Sequence, residues 1–435
     1  MKRSAKAEIV REPSFAYRRA AGKASSAELF CESIPLARLA ERHGTPLYVY
    51  SSEMIRVRMR AFARAFRSVP HTVCYSVKAN STLAILRLVQ REGAGFDVVS
   101  GGELERVLRV KKATARHVVF SGVGKTVPEM ELALKAGILL FNVESSSELR
   151  VLAATASRLK KRAAIAVRVN PDVSAKTHPY ISTGLHEHKF GVPIPEAQEL
   201  YAEAVRQPYL KVSGVSVHIG SQIADVSSFA VALERVADLV GELRSQGHDI
   251  CYVDAGGGLG ISYEEAPQEF DAQIAAYAGA VLRPLRGLDV HLLLEPGRSL
   301  VGAAGVLVTR VIYRKTNNSK RFLIVDAGMN DLLRPALYGG YHEIVPVVRS
   351  SGETETTDVV GPVCETGDFL ARNRELAIVR EGDLLAILDA GAYGAVLGSN
   401  YNTRGKPAEV LVDGKKGRLI RERESFQDQT RLEQM

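Results

Sequence analysis

The sequence of 435 residues predicts an eight-stranded parallel β/α barrel followed by an all-β domain. Three observations carry this expectation. Short β-branched runs alternate with helical patterns between about residues 71 and 298; strand-like runs continue after Arg298 without long helices; and the chain is longer than one hydrophobic core usually supports.

The barrel strands are read as TVCYSV, ending just before Lys78, then GFDVVS, HVVFSG, LLFNVE, AIAVRV, VSGVSVHI, CYVDA and HLLLE. Between them lie amphipathic segments such as STLAILRLVQREG, GGELERVLRV and SSFAVALERVADLVGELRSQG, with apolar residues at helical spacing and glycine near several ends. Eight such units suit a TIM barrel, whose active sites sit at the C-terminal ends of the strands. An open doubly wound sheet is the alternative.

The second domain is read from GVLVTRVIYRK, RFLIVDAG, HEIVPVV, TTDVVGPVC, ELAIV, DLLAILDAG and AEVLVDG, separated by glycine, proline and aspartate. This pattern fits a β-sandwich or β-barrel, to which PLYVYS adds a strand. The expected boundaries are a basic N-terminal extension over 1–25, the barrel over 48–308, the β domain over 26–47 and 309–420, and a polar tail over 421–435. Both ends, roughly 1–25 and 415–435, are expected to fray.

Composition excludes several classes. With 46% apolar and 24% charged residues the chain reads as an ordinary soluble globular protein, not a disordered or fibrous one. The net charge of +8 is spread along the chain among nearly as many acids, so a solvated surface is expected and no nucleic-acid partner. No apolar run approaches the roughly 18 residues of a membrane span, and the basic N-terminus lacks the apolar stretch of a secretory signal. Cys31, Cys74, Cys251 and Cys364 form no CxxC pair, which argues against a metal site or a disulfide framework and for a reducing cytoplasm. The first three are read as small core residues.

Polar residues gather where barrel strands end. Lys78 closes the first strand, Asp97 lies in the second, His218 ends the sixth, Gly256-Gly257-Gly258 follows the seventh, and Glu295-Pro-Gly-Arg298 follows the eighth. A strand-end lysine ordinarily reaches solvent, but one held at a barrel mouth is desolvated and its amine becomes available for a Schiff base. The glycine run frees backbone amides where barrels commonly hold a phosphate. A carboxylate such as Glu295 facing a pyridine nitrogen keeps it protonated, so that the ring accepts electrons released at a substrate carbon. His218 offers a flat ring and Ser221 a hydroxyl.

Together, YSVKAN, HIGSQ, DAGGGLG, EPGR, GPVCETGD and DAGAYG resemble the fold-type III pyridoxal-phosphate decarboxylases, which pair an alanine-racemase-like barrel with a β domain. The resemblance runs in order from about residue 45 to 413. It implies that Lys78 carries pyridoxal 5'-phosphate, that His218 stacks on the ring, and that Glu295 pairs with the ring nitrogen, with Asp97 near the cofactor. Ser221, Gly257, Gly258, Gly297 and Tyr393 would hold the phosphate, the backbone of Arg298 lying close by.

THPYISTGLHEHKFG at 177–191, LLRPALYGGYHEI at 332–344 and YNTRGKPAEVLVDG at 401–414 are similar to the diaminopimelate decarboxylase branch of that family. That branch turns meso-2,6-diaminopimelate into L-lysine and CO2 at the end of lysine biosynthesis. By the resemblance Arg298, Arg334 and Tyr338 bind the distal carboxylate, Tyr393 also meets the substrate, Glu365 binds the distal ammonium, and Cys364 donates the proton after CO2 leaves. A bidentate arginine suits a carboxylate, and a thiol is a workable acid near neutral pH. The family places Cys364 and Glu365 in the neighbouring subunit's site, which implies a homodimer. Thr366 departs from the serine common in relatives, and the extension before about residue 26 lies outside the resemblance. His178, His186 and His188 have no assigned role. The alternatives are a related decarboxylase for another amino acid or a carrier-linked acyl group, and a non-catalytic regulator on the same scaffold.

Overall fold

The computed structural model describes residues 8–11, 14–19, 27–173, 189–263, 270–349 and 353–434. They fall into two compact units, one from residues 58–261 and 268–299, the other from residues 1–57, 262–267 and 300–435.

The first unit is the barrel. Its strands are β1 (His71–Ser76), β2 (Gly95–Val98), β3 (Val118–Phe120), β4 (Leu140–Val143), β5 (Ala163–Asn170), β6 (Leu210–Val217), β7 (Tyr252–Asp254) and β8 (His291–Leu294). Each pairs in parallel with the next, and β8 returns to β1 through Leu292 with His71, Leu293 with Thr72 and Leu294 with Val73. That closure rules out the doubly wound alternative. Cys74, Val119, Leu140, Ala166 and Leu293, each fully buried, form a cluster inside the unit, as expected for branched or small residues filling a packed core. Cys31 is likewise buried, but Cys251 is only half-buried at the entry to β7, its thiol 3.2 Å from Asp249 Oδ1, so it is not a core residue.

Helix starts follow local chemistry. The Ser100 hydroxyl accepts from the Glu103 amide (3.2 Å), Ser145 from the Glu148 amide (3.1 Å), and Thr126 forms a reciprocal capping box with Glu129. Each such cap stabilises its helix by about 1 kcal/mol. These three helices begin just after β2, β3 and β4, so the caps also shape the loops at the C-terminal end of the barrel.

The second unit is built on the long strand Gly305–Asn317. Its first half pairs with Leu47–Ser51 and Leu384–Ile387, its second half with Lys320–Val325. Thr354–Val360 and Phe369–Ala377 continue the sheet on one side, Ala408–Asp413 and Lys416–Arg421 on the other. Leu47–Ser51 is buried at every position and lies between two neighbours. It belongs to this sheet, and residues 300–308 fall in the same unit rather than in the barrel's.

The described residues near both chain ends form regular structure, which their polar composition did not suggest. Glu8–Arg11 and Phe15–Arg19 form an antiparallel hairpin that joins Ala27–Cys31 and Val348–Arg349 in a second sheet. Phe15 and Tyr17 are buried, and Arg11 forms a buried ion pair with Asp389 (2.7 Å). Losing one member of such a pair costs about 3–5 kcal/mol. At the other end, Lys416–Arg421 pairs with Ala408–Asp413, and a short helix, Phe426–Thr430, starts at a Ser425–Asp428 capping box. Polar composition misled at the N-terminal end because what that sheet docks on, Val348–Arg349 and Asp389, is distant in sequence. Among the described residues no helix is long and apolar enough to cross a membrane.

Candidate active site

Lys78 lies in the tight turn Val77–Ala79 that leaves β1, and its Nζ is 2.6 Å from Oδ2 of Asp97 in β2. Asp97 is fully buried, whereas a third of the Lys78 side chain remains open. The Ser76 hydroxyl sits between Asp97 Oδ2 (2.7 Å) and the Glu295 carbonyl (3.0 Å). Asp97 Oδ1 is buried and has no hydrogen-bond partner among the described residues. An unsatisfied buried acceptor costs free energy, and it marks a place where a donor is awaited.

Glu295 follows β8 and adjoins Asp254 at the end of β7. Asp254 accepts from the Asn142 amide (2.7 Å) and from the Gly256 N–H (2.9 Å). Glu295 has a weaker partner, the Ser121 hydroxyl at 3.3 Å. Burial, then the negative charges of Asp254 and Asp97, push the Glu295 carboxyl well above the usual range; burial also raises Asp254, against its hydrogen bonds to Asn142 and Gly256. Asp254 is the better hydrogen-bonded of the two, and Glu295 is the more strongly raised.

His218, just past β6, accepts the Gly257 N–H at Nδ1 (3.1 Å), so that nitrogen carries no proton. Burial, followed by the charges of Arg168 and Lys78, holds the imidazole well below its ordinary range, and the ring is neutral. The loop carrying Ser221 is joined to the glycine run by the Ile223 N–H to the Gly258 carbonyl (2.9 Å) and the Gly260 N–H to the Ile223 carbonyl (3.0 Å). Only glycine fits at this junction. A Cβ on Gly257 would stand 2.1 Å from the Glu295 carbonyl oxygen, and one on Gly258, whose φ is +106°, would stand 2.3 Å from that of Gly220. The amides of Gly258 and of buried Gly297 donate to nothing among the described residues. Arg298 opens the short helix Arg298–Val301.

The remaining expected residues belong to the sheet unit. Arg334, buried, begins the helix Arg334–Tyr338, and Nη1 lies 2.6 Å from Nε2 of buried His342. Its guanidinium also lies over the Tyr263 ring, 4.4 Å from the centroid. Cys364 and Glu365 are exposed on their own chain. The Asn402 side chain accepts the Cys364 amide (2.7 Å), and the Tyr401 hydroxyl donates to Glu365 (3.1 Å). Tyr393 is half-buried in the turn after Leu384–Ile387.

The barrel thus gathers Lys78, Asp97, His218, Ser221, Gly257, Gly258, Glu295, Gly297 and Arg298 at one end of its strands, while Arg334, Tyr338, Cys364, Glu365 and Tyr393 lie in the other unit. Sequence reasoning missed Ser76, Ser121, Asn142, Arg168 and Asp254, which also close barrel strands, and His342, Tyr401 and Asn402, which sit inside motifs already singled out. Of the segment 177–191, all but residues 189–191 lies outside the described residues, including His178, His186 and His188.

Comparison with known proteins agrees with this geometry. Residues 52–302 match the family described as "Pyridoxal-dependent decarboxylase, pyridoxal binding domain". The diaminopimelate decarboxylase of Pseudomonas aeruginosa is 52% identical over 404 residues, covering 92% of this chain and 96% of that protein. That of Neisseria meningitidis serogroup A is 50% identical over 401 residues, covering 92% and 98%. The crystal structure of the Helicobacter pylori diaminopimelate decarboxylase complexed with L-lysine superposes with a TM-score of 0.87 at 43% identity, covering 92% of this chain and 99% of that one. With half its sequence shared over nearly its whole length, and the same fold, this chain belongs to the diaminopimelate decarboxylases of the pyridoxal-dependent decarboxylase family.

Proposed function

We propose that the chain decarboxylates meso-2,6-diaminopimelate to L-lysine and CO2, using pyridoxal 5'-phosphate held at the C-terminal end of the barrel. The reading is supported by the names of its relatives and by the L-lysine bound in the Helicobacter pylori structure. The observation that carries it in this chain is Lys78 held on buried Asp97, in a barrel end that also offers a buried Glu295 raised above the usual carboxyl range and two amides unengaged among the described residues.

The donor set fits the cofactor. The Gly258 and Gly297 amides, with the Ser221 hydroxyl, suit a phosphate. The neutral ring of His218 suits a flat aromatic face, and Lys78 supplies the amine that would hold the aldehyde. When bound, pyridoxal 5'-phosphate supplies an electron sink for the pair left on the substrate carbon as CO2 departs.

The protein's part is to orient groups and hold protons. Asp97 fixes the direction of Lys78 Nζ and keeps it from swinging into solvent. Glu295, buried beside Asp254, would face the ring nitrogen, where a carboxylate would keep that nitrogen protonated. Arg298, Arg334 and Tyr338 bind the distal carboxylate, with Tyr393 also serving substrate and phosphate. Glu365 binds the distal ammonium, and the Cys364 thiol delivers a proton to the substrate carbon. The exposure of Cys364 and Glu365 on their own chain supports their acting in the partner subunit's site of a homodimer.

The deciding experiment incubates the purified protein with meso-diaminopimelate, with and without added pyridoxal 5'-phosphate, and measures L-lysine and CO2. Formation of both in equal amounts is expected. Turnover of another amino acid in preference to diaminopimelate would overturn the substrate assignment.

A further inference from the structure

The N-terminal hairpin has no part in the chemistry derived so far, yet it ends on the loop that carries Tyr393. Arg11 Nε lies 2.9 and 3.0 Å from the two carboxylate oxygens of Asp389, and Nη2 lies 2.7 Å from Oδ2. The partners are 378 residues apart in sequence, 7% and 0% exposed. Asp389 opens the turn DAGAYG, in which Asp389 (φ +56°) and Tyr393 (φ +55°) both adopt the left-handed conformation. Side chains rarely hold that conformation unless their surroundings over-determine it.

What over-determines this turn is visible. The Leu388 N–H donates to the Glu343 carbonyl (2.8 Å), the Ala390 N–H to Gly305 (2.8 Å), and the Gly391 N–H to Gly302 (2.9 Å). Those bonds fix the backbone entering the turn, and Arg11 grips the Asp389 side chain through both oxygens. A forked guanidinium dictates the plane and direction of a carboxylate, whereas a buried ion pair is a poor source of net stability compared with apolar packing. The hairpin does not depend on this pair for its docking. Phe15 and Tyr17 are buried, the Tyr17 hydroxyl donates to the Pro346 carbonyl, and Phe15–Arg19 is paired along its length with Ala27–Cys31.

We propose that Arg11 is a positioning residue for Tyr393, the hairpin clamping Asp389 and thereby setting the turn from which Tyr393 serves the site. This rests on the reading above that Tyr393 contributes to that site.

The test compares Arg11→Met, Arg11→Lys, Asp389→Asn, Tyr393→Phe and the Arg11→Met/Tyr393→Phe double variant as holoenzymes. Three quantities are read: hydrogen exchange at the Ala390 and Gly391 amides, the split between KM for meso-diaminopimelate and kcat, and the dissociation constant of pyridoxal 5'-phosphate. In Arg11→Met, exchange at the two amides accelerates about tenfold or more, and KM or the cofactor dissociation constant rises about tenfold. Arg11→Lys recovers part of the loss, and the double variant is no worse than Tyr393→Phe alone, since two residues acting through one another are non-additive. If Arg11→Met lowers only the melting temperature, with loop exchange, KM and cofactor affinity at wild-type values, the pair merely stabilises and the proposal falls. If Tyr393→Phe alone changes neither constant, the assignment of Tyr393 fails, and loop exchange still judges whether Arg11 sets the turn. Should Arg11→Met not fold, Asp389→Asn, which removes the charge but keeps the side chain's shape, is held to the same outcomes.

Discussion

Arg334 Nη1 lies 2.6 Å from His342 Nε2, while His342 Nδ1 lies 2.7 Å from the Leu388 carbonyl oxygen. A carbonyl only accepts, so Nδ1 carries the proton; a guanidinium only donates, so Nε2 accepts. His342 is therefore a neutral, fully buried prop that holds one arm of Arg334 and sets the direction of its guanidinium. Replacing His342 with Ala should raise KM for meso-diaminopimelate about tenfold while kcat changes by less than about threefold, because a binding group loses its direction and the reacting centre is untouched. Steady-state kinetics decide it, and a fall in kcat at constant KM would remove Arg334 from substrate binding.

Two lysines stand near the barrel's C-terminal end, and the structure separates them. Lys125 has no exposed side-chain surface, and its Nζ lies 2.7 Å from each of the Gly122 carbonyl, the Asn142 carbonyl and Glu148 Oε1. All three of its donors are engaged, so none is left to meet an aldehyde. Lys78 meets the Asp97 carboxylate and keeps about a third of its side chain exposed. Borohydride reduction of the holoenzyme followed by peptide mapping should therefore place the cofactor on Lys78, and label on Lys125 would refute the site described here.

Glu103, which accepts the Val99 N–H (2.8 Å), is pushed up from its ordinary 4.5 to about 7 by burial, against the Val99 bond, with the charge of Asp97 adding to the rise. The native state thus binds a proton that the unfolded chain releases. Its contribution to stability is complete below about pH 4.5 and is lost as pH rises through about 7. Between pH 5 and 8, wild type should lose on the order of 1–3 kcal/mol more than Glu103→Gln, partial exposure having been discounted. Urea unfolding at several pH values measures the difference, and parallel curves for the two proteins would contradict the assignment.

A shared active site makes a stoichiometric prediction. Lys78→Ala and Cys364→Ala chains should each be inactive alone. Reassociated after mild denaturation, half of the dimers are mixed, and two-fold symmetry gives each mixed dimer one intact site, so about a quarter of wild-type activity returns. A tagged-chain pull-down confirms the exchange. An inactive mixture after proven exchange would assign both residues to one subunit's site.

Much of the barrel was legible because its determinants are local. A parallel strand buried on both faces must be a short apolar run, and the turn that follows must carry the polar residues that face solvent or a ligand. Lys78, Asp97, His218 and Glu295 each stand out at the end of such a run. Asp254 and Asn142 end strands as well, but nothing local separates a strand-end carboxylate buried against a second one from one that meets solvent. That distinction arises only when β4, β7 and β8 bring Asn142, Asp254 and Glu295 together.

The sequence by itself determined the order of strands and helices, the closure-ready repeat of eight units, and the residue types at the mouth, since these follow from hydrophobic period and turn chemistry within about thirty residues. Only the tertiary structure decided which carboxyl groups are buried together, which lysine keeps an exposed side, and that Arg11 reaches Asp389 or His342 props Arg334. Each of those depends on burial and on contacts between segments far apart in the chain, and desolvation, the force that shifts Glu295 and neutralises His218, does not exist until the chain has folded around them.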